Sequence, residues 1–61
     1  MNKNFLLTYS FENFEGMHDS NYAWFETEEE MRNEIEFFMD IYKDFEINEM
    51  FEIINGREVE L

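Results

Sequence analysis

The sequence predicts an α+β domain of ββαββ order: an antiparallel sheet of about four strands with one amphipathic helix packed on one face. Three observations carry this reading. Phe5, Leu7, Tyr9 and Phe11 alternate with other residues near the start. Thr27-Glu28-Glu29-Glu30 has the form of a helix capping box and opens a stretch with apolar residues three and four apart. Asn55-Gly56, between two runs of strand formers, marks a hairpin turn.

Asn4 to Phe11 reads as the first strand. Its period of two sets Phe5, Leu7, Tyr9 and Phe11 on one face and Leu6, Thr8 and Ser10 on the other. Glu12 to Ser20 is polar and carries Gly16, so it reads as a loop. Asn21 to Glu26 has strand composition, with the first strand as its expected neighbour.

The helix is expected to begin after Thr27, which caps it while Glu30 reaches back to the Thr27 amide. Glu28 and Glu29 lie where the helix dipole favours anions. At about 100° per residue, Met31, Ile35, Phe38 and Tyr42 form a central stripe with Met39 on one shoulder. Glu29, Arg32, Glu36, Asp40 and Lys43 fall on the opposite side. Such a helix runs for about four turns and ends near Lys43 or Asp44. Phe37 and Ile41 widen the apolar sector on the other shoulder, beside Glu30 and Glu34. They either cover the edge of the core under a loop or form a self-association surface.

Two turns are open to the tail. A two-residue Asn55-Gly56 turn pairs Ile54 with Arg57. Val59 and Leu61 then share a face with Glu52, and Phe51 and Ile53 face Glu58 and Glu60. A three-residue loop, Ile54-Asn55-Gly56, instead gathers Ile47, Phe51, Ile53, Val59 and Leu61 on one face, with Glu52, Glu58 and Glu60 outward. Register normally puts apolar residues together, so the three-residue loop is expected.

Composition bounds the function. Sixteen acidic residues stand against four basic ones in 61, a formal net charge of −12, with 44% hydrophobic and 20% aromatic residues. A chain this acidic and poor in aromatics would be disordered. Eight Phe, three Tyr and one Trp supply a core instead. The chain is one domain, residues 1–61, and at this length buries only about 60% of its unfolded surface. Without Cys no disulfide can reinforce it, and His18 alone cannot build a structural zinc site. A homodimer is the expected reinforcement.

No signal peptide is read in Met1-Asn2-Lys3-Asn4-Phe5-Leu6-Leu7, because Thr8, Tyr9 and Ser10 interrupt before an apolar region develops. No run approaches the roughly 20 apolar residues of a membrane span. The cytoplasm is the expected location. With a pI near 4.1, nucleic acid and anionic lipid are repelled, and the expected partner is a basic protein surface.

No catalytic residue, cofactor site or metal site is assigned. Ser10 and Ser20 lie in no nucleophile motif, and His18-Asp19 reads as a solvated loop pair. Glu12, Glu15, Asp19 and Asn21 surround Gly16 with oxygen ligands, yet their spacing is not that of an EF-hand.

The acids are unevenly placed. Between Glu26 and Glu46 lie nine of them and two bases, Arg32 and Lys43. Glu28 supports Arg32 four residues on, but Glu26/Glu30, Glu30/Glu34, Glu36/Asp40 and Asp40/Asp44 are like pairs at the same spacing. Asp40 and Asp44 also oppose the dipole at the helix end. Carboxylates four apart on a helix repeat every 6 Å or so, a crude copy of a phosphate track. The plainer explanation is that acid keeps a small protein soluble.

The run Tyr22-Ala23-Trp24-Phe25-Glu26-Thr27-Glu28-Glu29-Glu30, in a short, Cys-free, acidic α/β chain, resembles the small accessory proteins of phages and mobile elements of low-GC bacteria. Many of these are anti-defence factors, and several mimic DNA or dimerise. The resemblance implies a non-enzymatic inhibitor that occludes the basic nucleic-acid-binding surface of a nuclease, helicase or other defence complex. Glu29, Glu36, Asp40 and Asp44, with Glu52, Glu58 and Glu60 as a second row, are the expected partner-binding face. The alternative is an interaction or assembly module working through an apolar surface that includes Phe37 and Ile41.

Overall fold

The computed structural model describes residues 3–61. Met1 and Asn2, where the reading of the N-terminal segment begins, lie outside the described residues. The elements follow in the order β1 (Phe5–Glu12), β2 (His18–Phe25), α1 (Glu28–Ile41), β3 (Lys43–Ile54) and β4 (Arg57–Glu60). They form one sheet with strand order β2-β1-β3-β4, every neighbouring pair antiparallel. The expected ββαββ order, with four antiparallel strands and one helix, is the order found.

β1 is central although it comes first in the chain. It pairs antiparallel with both β2 and β3, so those two strands run the same way, with α1 as the crossover between them. The odd-numbered residues of β1 face the helix. Leu7 and Tyr9 are buried with Phe25, Met31, Ile35 and Phe38, and Phe5, Phe11, Ala23, Tyr42, Phe45 and Met50 pack around them. Tyr9 is the hub of an aromatic cluster, with ring centroids 5.0 Å from Phe38 and 5.5 Å from Phe45. Tyr42 stacks on Phe11 at 4.3 Å.

The helix starts where its sequence directs. Thr27 is extended, and its Oγ1 accepts the Glu30 N–H at 3.1 Å. Among the described residues only this half of the expected capping box forms. The other end comes sooner than the pattern suggests. Tyr42 adopts extended backbone, its N–H donates to the Phe38 carbonyl at 2.8 Å, and β3 begins at the next residue. The physical reason is the ring of Tyr42, which leaves the helix to stack on Phe11.

β2 is also longer than read. It begins at His18, so His18, Asp19 and Ser20 are strand residues rather than loop. The connection is a tight turn in which the Asn13 Oδ1 accepts from the amides of Glu15 and Met17 at 2.9 and 3.0 Å. Gly16 there has φ +78, a conformation side chains rarely adopt.

The tail corrects the expected register. Asn55 and Gly56 have φ of 52 and 76, a two-residue turn, and Ile54 pairs with Arg57. Val59 therefore stands opposite Glu52 on the helix side, while Glu58 and Glu60 stand opposite Ile53 and Phe51 on the back. The turn sets this pairing, and irregularities in β3 decide which face each set takes. The pairing of β3 with β1 shifts between Thr8 and Tyr9 and again between Ser10 and Glu12, each shift adding one residue to β3. The first separates Ile47, opposite Tyr9, from Glu49, opposite Thr8. Beyond it the parity is reversed, so Phe51 and Ile53 lie on the other face from Ile47.

No helix among the described residues is long and apolar enough to cross a membrane.

Candidate functional site

One helix covers one face of the sheet, and the register places the other face row by row. Trp24 (β2), Leu6 (β1), Phe51 (β3) and Glu60 (β4) form one row across all four strands. Tyr22, Thr8 and Glu49 form the next, then Ser20, Ser10 and Glu46. His18, Glu12 and Lys43 form the last.

Two properties follow. Leu6, Phe51 and Ile53 are half-buried while Tyr22 and Trp24 are 63% and 42% exposed, an apolar strip with no helix over it. Acid is also unevenly spread across the sheet, with Lys43 on β3 as the one basic residue on this face among the described residues. β2 contributes no acid to this back face, β1 contributes Glu12, β3 contributes Glu46 and Glu49, and β4 contributes Glu58 and Glu60. The Thr8 hydroxyl in the middle of this face is buried without a hydrogen-bond partner.

The seven acids expected to act together are divided. Glu29, Glu36 and Asp40 are exposed on the outward side of α1, as expected. Asp44 is not helical; it is the second residue of β3, with φ 53, so the Asp40/Asp44 spacing is not a helical pair. The Glu26/Glu30 pair is likewise not helical, since Glu26 precedes the cap. Glu52 is half-buried on the helix-side face, opposite Phe5 and Val59. Glu58 and Glu60 are on the back. The expected second row of Glu52, Glu58 and Glu60 is therefore split between two faces by the two-residue turn. Glu46 and Glu49 share the back face with Glu58 and Glu60, further along β3. Nothing in the sequence period announces them, because an inserted strand residue leaves no periodic signal.

Few of these charges are neutralised internally. Among the described residues two ion pairs form: Arg32 Nε to Glu28 Oε2 at 2.7 Å and Lys43 Nζ to Glu12 Oε2 at 3.0 Å. The hydrogen bond from Lys43 to Glu12 raises the Lys43 pKa above its ordinary value. Both pairs are solvent-exposed and contribute little to stability.

Glu12, His18 and Asp44 bring one donor atom each within 4.8 Å of the others, a set suited to a borderline divalent ion. The Lys43 ammonium already engages the Glu12 carboxylate there. The oxygen ligands expected around Gly16 do not converge, since Glu12 lies on the back and Asp19 and Asn21 lie on the helix side, opposite Phe11 and Tyr9.

An open groove of about 450 Å³ lies between the β1–β2 turn and the end of α1, lined by Phe11, Phe14, Ile41 and Tyr42 with Glu12 and Lys43 at its rim. Phe14 is fully exposed at the tip of the turn. Ile41 lines this groove beside the turn, and it and Phe37 are each 53% exposed.

In the core, burial raises the Tyr9 pKa above its ordinary 10.0, with the nearby Tyr42 and Glu34 adding to the effect. The folded state then holds the proton more tightly than the unfolded chain. Its contribution to stability is present below pH 10.0 and is lost as pH rises through the raised value.

Comparison with family models, curated proteins and solved structures finds no match to this chain.

Proposed function

We propose that this chain is a non-enzymatic inhibitor of the anti-defence type, which occludes a basic nucleic-acid-binding surface of a host enzyme. The observation that carries this reading is the surplus of unpaired carboxylate on two exposed surfaces. Glu29, Glu36 and Asp40 line α1 over about 16 Å of helix, counted at 1.5 Å per residue. Glu46, Glu49, Glu58 and Glu60 crowd the β3–β4 half of the back face. None of these seven takes part in the two ion pairs. A row of fixed negative charge competes with phosphate for the same lysines and arginines, and it steers association over long range. Asp44 stands instead beside Glu12 and His18, and Glu52 sits apart from both surfaces.

The test is affinity capture from a bacterial lysate, followed by binding to the captured protein over a range of salt concentrations. Recovery of a nuclease or helicase complex, with affinity that falls steeply between 50 and 200 mM salt as phosphate-like contacts do, supports the reading. Charge reversal by Glu36→Lys with Asp40→Lys is expected to abolish capture while the circular dichroism spectrum is kept. Binding indifferent to both salt and reversal would sink it.

A second reading is favoured by the groove at the end of α1. An interaction module would seat an apolar partner segment against Phe14 and Ile41, with Phe37 beside them and the acid serving only solubility. Phe14→Ser would then abolish capture, and reversing Glu36 and Asp40 would not.

A further inference from the structure

The two edges of the sheet differ in a way that bears on how this chain meets itself. β4 is four residues long and carries Arg57, Glu58 and Glu60. That is how natural sheets protect an edge from unwanted pairing. β2 is eight residues long and pairs with β1 without a register shift over its full length. It has no Pro, Lys or Arg, and Asp19 is its one acid. Its outer side presents unpaired backbone groups beside exposed Tyr22 and Trp24. Of the usual protections this strand has only the charge of Asp19, near its start on the helix-side face.

We infer that β2 is the self-association edge: two copies pair β2 with β2, antiparallel, about a two-fold axis normal to the sheet, to make one continuous eight-stranded sheet. The edge is self-complementary, since antiparallel strands satisfy each other's backbone groups, and charge selects the place. A second copy brings its own charge of −12, so it can approach only where the surface is nearly neutral. On the back face β2 is the strand that adds no acid. The axis is set by geometry, because a two-fold normal to the sheet keeps back face beside back face. The row of Phe51, Leu6 and Trp24 then continues toward its counterpart, and Tyr22 and Trp24 of the two copies become neighbours.

The helix shoulder is a poorer seat. Phe37 has Glu34 three residues before it and Asp40 three residues after, so a symmetric contact there gathers carboxylates from both copies. The β4 edge would do the same with Glu58 and Glu60. Pairing through β2 instead leaves the α1 row and the β3–β4 acids outward, and duplicates them.

Sedimentation and light scattering over a concentration series give the test. The expected mass is twice the 7.6 kDa of one chain, and added salt should tighten the dimer by screening residual repulsion. This sign is opposite to that expected for the basic partner, so the two proposals can fail separately. Tyr22→Glu should weaken the dimer about tenfold or more by setting like charges near the axis, with Phe37→Glu leaving it unchanged. Hydrogen exchange supplies a readout that needs no variant. The β2 amides that point away from β1 should be protected at high concentration and exchange on dilution. A monomer at millimolar concentration in high salt would overturn the inference. So would a dimer broken by Phe37→Glu but not by Tyr22→Glu, or one whose outward β2 amides exchange freely.

Discussion

β2 and β4 close the same sheet at opposite sides and are built to opposite specifications. β4 is short and acidic, and is tied to β3 by a two-residue turn. β2 is twice as long, unbroken in register and nearly free of charge. A chain with sixteen acids has concentrated them away from one edge rather than spreading them evenly. On the proposed β2 pairing, the difference separates two tasks that a 61-residue surface would otherwise mix: repelling most of its surroundings and holding to one copy of itself.

The largest effect should come from removing what both edges share. Leu7 is fully buried at the centre of β1, and Leu7→Ala is expected to cost about 2–5 kcal/mol. In so thin a core this should lose both edges in a single thermal transition. Separate melting of β2 and β4 would show that the sheet is not one cooperative unit. The next change erases the contrast directly. Glu58→Thr with Glu60→Val gives β4 the neutrality of β2, and light scattering should then report species larger than a dimer. Unchanged mass would mean that length, not charge, protects that edge.

A milder change acts on β4 alone. Gly56 has φ +76 with open space where a Cβ would stand, so Gly56→Ala carries only backbone strain, about 1 kcal/mol. Hydrogen exchange should quicken in β4 while β2 keeps its protection. The smallest effect has the opposite sign. Thr8→Val removes the buried hydroxyl without a partner and should stabilise the fold by up to about 1 kcal/mol in denaturant unfolding. A loss of stability would show that the hydroxyl is satisfied by water.

Element order was legible because each signal is local: the alternation at Phe5 to Phe11, the Thr27 cap, the Asn55-Gly56 turn. Face assignment beyond Ile47 was not. One extra residue at each of two points in β3 reverses parity, and no repeat records it. The rule that register gathers apolar residues also misled, for a specific reason. It assumed one apolar face, whereas Phe51 and Ile53 join Leu6 and Trp24 on a second one. The helix acids Glu29, Glu36 and Asp40 could be placed from the 3.6-residue period alone. The sheet acids could not, because their placement rests on a register fixed by strands far apart in sequence.

The position of β1 has a kinetic consequence. It is the first strand to be made and the middle strand of the finished sheet, so one of its sides must wait for β3. During synthesis the β1–β2 hairpin and α1 are complete before any of β3 exists. Through that interval β1 is itself an open edge, with its own Leu7 and Tyr9 on the helix-facing side. The long-range step is the docking of β3 along β1 beneath the helix, with β4 following behind it. Closing that long-range pair governs the folding rate, as it does in proteins whose contacts span much of the chain. A nascent chain stalled before Lys43 would offer a neighbouring chain the very site its own third strand is due to fill.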